Sequence, residues 1–259
     1  MSQAPFRIHL IGNWSCLEVQ VDYRPAEYIL PGDFSHRAVV FWEEATAAGN
    51  RYLFNGALCR LEKFSEKDGN LQLSLSRTCY RDLIFSNAHT DELLRALGET
   101  GPVRALGISV VIETCDGYLP IIRRSEHVGE GPGGLGVIGG HVHPDEHARH
   151  GAPDVFYAIA DEIHAELGIP FNRLDNFTCC GLAEEWPHRK PELIFFIALP
   201  LTMGEVRRLA QNARESNEFT ELLAIRAEKE DLQRFIRENE SQITTSTLAC
   251  LQIYGRIKK

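Results

Sequence analysis

The stretch from Gly139 to Ile169, GGHVHPDEHARHGAPDVFYAIADEIHAELGI, constrains the chain more than any other. Its second half specifies a helix from Asp154 to Leu167. Asp154, directly after Pro153, is a good N-cap residue. Val155, Ile159 and Ile163 recur at i, i+4 and i+8, which draws an apolar stripe down one side. Gly168 follows the last periodic residue and Pro170 comes two later, a usual stop. Glu162 and Glu166 are four apart, so a helix sets both carboxylates on one face, with Cβ atoms roughly 5–6 Å apart. Like charges at that spacing repel. One compensator is Mg²⁺, a hard cation commonly held by one or two carboxylates plus substrate phosphates. The plain alternative is a solvated acidic face made of good helix formers.

The surroundings of this helix resemble the Nudix box. That pattern is Gly, five residues, Glu, seven residues, then Arg-Glu-aliphatic-x-Glu-Glu-x-Gly-aliphatic. Here Gly140 is followed by five residues and Glu146, and Asp161 to Ile169 (DEIHAELGI) matches the second half. Three departures stand out: fourteen residues separate the halves, Asp161 replaces the Arg, and Ala165 replaces the first Glu of the final pair. Further segments are similar to one divergent branch, the UDP-sugar diphosphatases that hydrolyse UDP-glucose and UDP-galactose. They are TCYRDLIFSN (Thr78 to Asn87), Leu106-Gly107, IIRRS (Ile121 to Ser125) and GGH (Gly139 to His141). The similarity runs from about Leu53 onward.

That resemblance implies an α/β fold: a Nudix α/β/α sandwich with a mixed sheet, plus a smaller N-terminal α+β domain. The expected division is 1–100 for the N-terminal domain and 101–259 for the hydrolase domain, with Glu99-Thr100-Gly101-Pro102 at the boundary. It implies Mg²⁺-dependent attack of water on a diphosphate, with Mn²⁺ as a possible substitute. On the matching positions, Glu162 and Glu166 are the metal ligands and catalytic carboxylates, with the Gly140 carbonyl nearby. Glu146 matches the first Glu of the box and is a third candidate ligand. The box's Arg orients a catalytic Glu, which Asp161 cannot do, so no general base is assigned. The expected products are UMP and a sugar 1-phosphate.

The substrate side is read from Thr78 to Asn87 and from the residues before the box. Tyr80 offers a ring to a uracil face. Arg81 offers a guanidinium fork to phosphate oxygens. Asp82 and Asn87 suit ribose hydroxyls or uracil edges. The alternative for all four is an ordinary exposed turn with an Arg–Asp pair. Arg123 and Arg124 end a strand and face opposite ways, so at most one, taken as Arg124, points at the site. Gly129 to Gly140 holds seven glycines in twelve residues. Such a run allows close backbone approach to phosphate, or is simply a flexible loop. Gly139 and Gly140 directly precede the box, and His141 can donate to a phosphate. His141, His143, His147 and His150 raise a zinc reading. No Cys or spaced carboxylate completes a tetrahedral set, so an exposed loop is preferred.

Composition narrows the setting. A net charge of −9 disfavours non-specific nucleic-acid binding, which needs a basic footprint. No run of eighteen apolar residues suggests a membrane span. The start of the chain lacks a secretion signal. Seven Cys without framework spacing read as reduced thiols, so a cytoplasmic location is expected. The partner is a small nucleotide sugar, and oligomeric state is not legible. The competing readings are a non-catalytic UDP-sugar binding module and a Nudix hydrolase of another nucleoside diphosphate derivative.

The remaining elements follow from periodicity and turn residues. Residues 6–12 and 16–22 read as a hairpin around Asn13-Trp14. Ser35 caps a helix to about Ala48, with Val39, Val40, Phe41 and Trp42 on its core side. Leu53–Phe64 and Leu71–Arg77 are strands turning at Lys67-Asp68-Gly69-Asn70. Asp91–Leu97 is a short helix. Leu106–Glu113 and Tyr118–Arg124 are strands joined at Asp116-Gly117. Phe177–Trp186 and Glu192–Leu199 are strands, the second apolar enough to be central. A helix from Thr202 or Met203 to about Arg214, a strand Glu218–Ala227, and helices Lys229–Arg237 and Thr244–Ile257 complete the chain.

Overall fold

A computed structural model of the chain describes residues 5–47 and 53–258. The elements up to the middle are β1 (Phe6–Trp14), β2 (Val19–Glu27), α1 (Phe34–Ala47), β3 (Ala57–Lys67), β4 (Asn70–Cys79), α2 (Tyr80–Ala88) and α3 (Thr90–Leu97). Next come β5 (Gly107–Thr114), β6 (Tyr118–Arg124), β7 (Leu135–Gly136), β8 (Ile138–His141), β9 (Ala148–Arg149), β10 (Ala152–Pro153) and α4 (Val155–Leu167). The rest are β11 (Thr178–Glu185), β12 (Pro191–Leu199), α5 (Met203–Ala210), β13 (Phe219–Arg226), α6 (Lys229–Asn239) and α7 (Thr245–Ile257). The expected helix end at Ala48 lies outside the described residues.

A five-stranded mixed sheet, ordered β1-β11-β12-β5-β8, is the centre of the molecule. The β12–β5 pair is parallel and the others antiparallel. Alternation along a strand sends successive side chains to opposite faces. Ile108, Val110 and Ile112 of β5 pack with Ile159 and Ile163 of α4. Val111 of β5 packs with Leu248, Leu251 and Ile253 of α7. The sheet therefore lies between two helix layers, the expected α/β/α sandwich. β12 is nearly all buried and central, also as expected.

β2, β4 and β3 form a separate three-stranded sheet. Its Leu71, Leu73 and Leu75 join the same core as Ile159 and Ile163. Helices α1 to α3 cluster on Leu58, Leu83, Phe85 and Val103. The β3–β4 turn forms at Asp68-Gly69 with positive φ at both residues (52° and 79°), the geometry a two-residue hairpin favours. In α1 the buried residues are Phe34 and Ala38, whereas Val40 is exposed. The apolar run there overstated its inward face.

Pairing departs from expectation where partners are distant in sequence. β1 and β2 both form, but not as a hairpin. β1 runs antiparallel to β11, and β2 runs parallel to β4. Trp14, the expected turn residue, is buried in the core and ends β1. β5 and β6 meet at the expected Gly117 turn yet join different sheets, β6 pairing with β13 and β7. α5 stops at Ala210 rather than Arg214, because the segment beyond it is captured by α4: the Glu215 amide donates to the Ala165 carbonyl (2.9 Å).

The central helix forms as its sequence dictates. The Asp154 carboxylate accepts from the amides of Phe156 and Tyr157 (2.9 and 3.0 Å). Gly168 closes it in the left-handed conformation, φ 65°. A Cβ at Gly168 would stand 2.8 Å from the Leu209 carbonyl oxygen. Gly168→Ala is therefore expected to cost about 1–2 kcal/mol, combining the conformational and steric penalties. Thermal unfolding beside the wild type checks this. No helix among the described residues is long and apolar enough to cross a membrane.

Candidate active site

A cleft of about 950 Å³ runs across the end of β8 and brings the Gly-rich loop, the box helix and the N-terminal elements together. One pole is acidic. Glu162 and Glu166 lie on the α4 face turned to β8. A Cβ at Gly140 would stand 2.1 Å from Glu162 Oε1, and one at Gly139 would stand 2.3 Å from the Ile108 carbonyl oxygen. Gly139 is thus required by close approach of backbone, and Gly140 by the Glu162 carboxylate as long as that side chain keeps this position.

Glu166 is 1% exposed. Its Oε1 accepts from the Gly139 amide at 3.4 Å, and its Oε2 is buried with no hydrogen-bond partner among the described residues. Burial, then the charges of Glu162 and Glu218, push the Glu166 carboxyl far above its ordinary range. Burial, then Glu215, Glu218 and Asp161, push Glu162 up to about 8. Glu218 is raised for the same reasons, by burial and by Glu215. Two carboxylates in so unfavourable a place lack a compensating positive charge of their own. The orphaned Glu166 oxygen and the glycine-lined space beside Glu162 fit a divalent ion. Among the described residues, no group of three or more His, Cys, Asp or Glu side chains forms a complete site of its own. Mg²⁺ suits such a partial set, because it keeps several waters and takes substrate oxygens.

The other pole is a buried hub around Lys190, which is 7% exposed. Its Nζ lies 3.3 Å from Glu130, 3.7 Å from Glu192 and 3.9 Å from Glu185. Burial alone would raise Glu130; Lys190 chiefly outweighs it and holds that carboxyl at about 2. Glu130 also meets His141 Nε2 at 3.3 Å and accepts from Asn87 Nδ2 at 3.3 Å. Burial lowers His141 to about 4, so the ring is neutral at pH 7 and its contact with Glu130 is not an ion pair. Glu192 accepts from Ser109 Oγ at 2.5 Å and is pushed up by burial to about 7.

Tyr80, Asn87, Arg124, Gly139, Gly140, His141, Glu146 and Glu162 all line this cleft. Arg124 Nε donates to the Glu130 carbonyl (2.9 Å), while Arg123 turns away to Glu221 (3.0 Å). Glu166 lies directly behind the wall. Arg81 and Asp82 do not line the cleft; Arg81 Nε donates to Asp82 Oδ1 at 2.7 Å, and Asp82 is buried. Glu146 is exposed on the cleft wall beside His143. The loop of His residues is not simply exposed, as expected from sequence. His147 is buried, because the insertion folds back through β9 and β10, and His147 Nδ1 accepts from the His143 amide (3.0 Å).

Sequence reading missed Glu130, Lys190, Glu192, Glu215 and Glu218. A faint signal existed for two of them. Lys190 directly precedes, and Glu192 lies at the start of, an otherwise apolar central strand, two charges at alternate positions.

No family model matches the chain. It is 26% identical to the uridine diphosphate glucose pyrophosphatase NUDT22 of Mus musculus, over 95% of this chain and 88% of that protein. It is 27% identical to Nudix hydrolase 9 of Arabidopsis thaliana, over 70% of this chain and 68% of that protein. Among solved structures it is similar to the MutT protein of Methanosarcina mazei Go1, with a TM-score of 0.38 and 16% identity, covering 60% of this chain and 94% of that one. In sequence the chain is thus similar, over most of its length, to proteins named as Nudix hydrolases and as uridine diphosphate glucose pyrophosphatases.

Proposed function

We infer that the protein hydrolyses the diphosphate of a UDP-sugar, UDP-glucose or UDP-galactose, to UMP and a sugar 1-phosphate. The observation that carries this reading is the Glu162–Glu166 pair, held at a glycine-lined strand with one carboxylate oxygen buried and unpartnered. Similarity over nearly the whole chain to a uridine diphosphate glucose pyrophosphatase supports the substrate class. Mg²⁺ or Mn²⁺ bound here would neutralise diphosphate oxygens and lower the pKa of a bound water.

The chain's own residues divide the remaining tasks. Glu162 and Glu166 hold the cation, with the Gly140 carbonyl and Glu146 as further oxygen donors. Gly139 and Gly140 let the diphosphate approach the backbone. Arg124 offers donors between the two poles, and neutral His141 can donate a ring N–H to a phosphate oxygen. Tyr80 and Asn87 wall the nucleotide side. Arg81 and Asp82 act from behind it, at the start of α2. The first hundred residues thus serve the nucleotide and residues 101–259 the chemistry. All seven cysteines are unpaired, which suits a reducing compartment, and we place the protein in the cytoplasm.

The test is hydrolysis of UDP-glucose with Mg²⁺, beside an EDTA control. Release of UMP and glucose 1-phosphate that depends on the metal is the expected outcome. Absence of turnover on UDP-glucose and UDP-galactose, with turnover on another nucleoside diphosphate derivative, would reject the substrate.

A further inference from the structure

We propose that Phe54 is the ring on which the base of the bound nucleotide stacks; the proposal rests on the reading that the cleft receives a nucleoside diphosphate. Six large hydrophobic residues are exposed among those described: Ile11, Leu17, Ile29, Val40, Phe54 and Phe171. Phe54 alone of these lines the cleft, and it is 78% exposed there. Scattered apolar residues on a surface need no explanation. An aromatic ring presented to a polar, ligand-sized cleft is different, because such a site otherwise keeps aromatics for contact with the ligand.

The ring sits on a fixed turn. The Gly56 amide donates to the Phe54 carbonyl (2.9 Å), and the Gly56 carbonyl accepts from the Tyr80 amide (3.0 Å). Asn55 Oδ1 accepts from the Arg81 amide (2.9 Å). Tyr80 and Arg81 open α2, and first-turn amides have no partner within their own helix. The turn supplies those partners and is itself held in return. Its backbone is ordered before any ligand arrives, which removes part of the entropic cost of binding.

Space is kept beside the ring. A Cβ at Gly56 would stand 3.4 Å from Phe54 Cε1 and 3.5 Å from His143 Cε1, so glycine leaves the gap between these two rings free of a side chain. Tyr80, the other ring on this wall, is committed to the protein. It meets Trp42 and His141 at interplanar angles of 85° and 78°. Its hydroxyl lies against Gly129, where a Cβ would stand 1.9 Å away. Among the described residues Phe54 makes no such ring contact.

Stacking on an aromatic tolerates any base and contributes to affinity rather than to chemistry. Phe54→Ala should therefore weaken UMP binding, measured by calorimetry, roughly ten- to a hundredfold. The KM for UDP-glucose should rise with it, kcat should stay within about twofold, and pyrophosphate affinity should not change. Phe54→Trp should restore UMP binding. The side chain is exposed, so the variants should fold, and unchanged thermal unfolding confirms it. If wild type turns over UDP-glucose and Phe54→Ala keeps the wild-type KM and UMP affinity, the stacking role is wrong and the hydrolase reading stands. Equal loss of UMP and pyrophosphate binding would mean a distorted cleft and would also overturn the proposal. A wild type that neither binds UMP nor cleaves UDP-glucose would overturn both.

Discussion

Glu166→Gln is expected to lower UDP-glucose hydrolysis at least about a hundredfold, the scale on which loss of one preorganised charge is felt at a transition state. The same change should make the metal-free protein more stable. In the fold Glu162 titrates at about 8 and Glu166 well above the ordinary 4.5. Between 4.5 and the folded value the native state binds more protons than the unfolded chain. Without a cation, stability therefore falls as pH rises through that window and levels off above it. Because the Glu166 carboxyl is held far above its ordinary range by burial and by Glu162 and Glu218, the gain from replacing it should grow as pH rises above 4.5. In EDTA the variant should unfold several degrees higher than wild type at pH 8, and the difference should vanish near pH 4. Mg²⁺ should stabilise wild type but hardly affect the variant. A variant less stable than wild type in EDTA, with hydrolysis intact, would mean that Glu166 is a structural group and that the cation sits elsewhere.

Lys190→Met is expected to cost about 3–5 kcal/mol, the usual result of removing one member of a buried charge cluster. Glu130, Glu185 and Glu192 share that single ammonium, and the replacement strands all three. Without the ammonium, burial would raise the Glu130 and Glu192 carboxyls in the fold, so the loss should be larger at pH 8 than at pH 5. Urea denaturation at the two pH values measures it. A penalty under about 1 kcal/mol at both would show that the Gly-rich loop is anchored without the lysine. The loop depends on the hub because Glu130 lies within it, between Gly129 and Gly131, and binds Lys190 and Asn87 at once.

Helix caps and tight turns were the most legible signals. Asp154 and Gly168 cap α4 as their residue types demand, and the Glu162/Glu166 spacing does put two carboxylates together. The β3–β4 turn and the central rank of β12 also follow from residue pattern. What alternation cannot specify is a partner. β1 and β2 have the composition of a hairpin, yet the edges that accept them belong to β11 and β4. The site shows the same limit. Glu162 and Gly140 announce themselves by spacing, whereas Glu215 reaches them only because the chain after α5 is drawn onto the Ala165 carbonyl. Lys190 and Glu130 are sixty positions apart, and nothing near either one points to the other.

The pairing of β1 with β11 bears on the order in which the molecule can be made. During synthesis β1 has to wait for residues near Thr178–Glu185 before its edge is satisfied. At ordinary synthesis speeds that is roughly 10–30 s of exposure. Over that interval β2 to β4 can already pair, because the ladders that join them lie within Val19–Cys79, although their buried leucines still await α4. A nascent chain stalled before β11 should hold a formed N-terminal sheet and no competent site, with β1 the segment a holding chaperone would find.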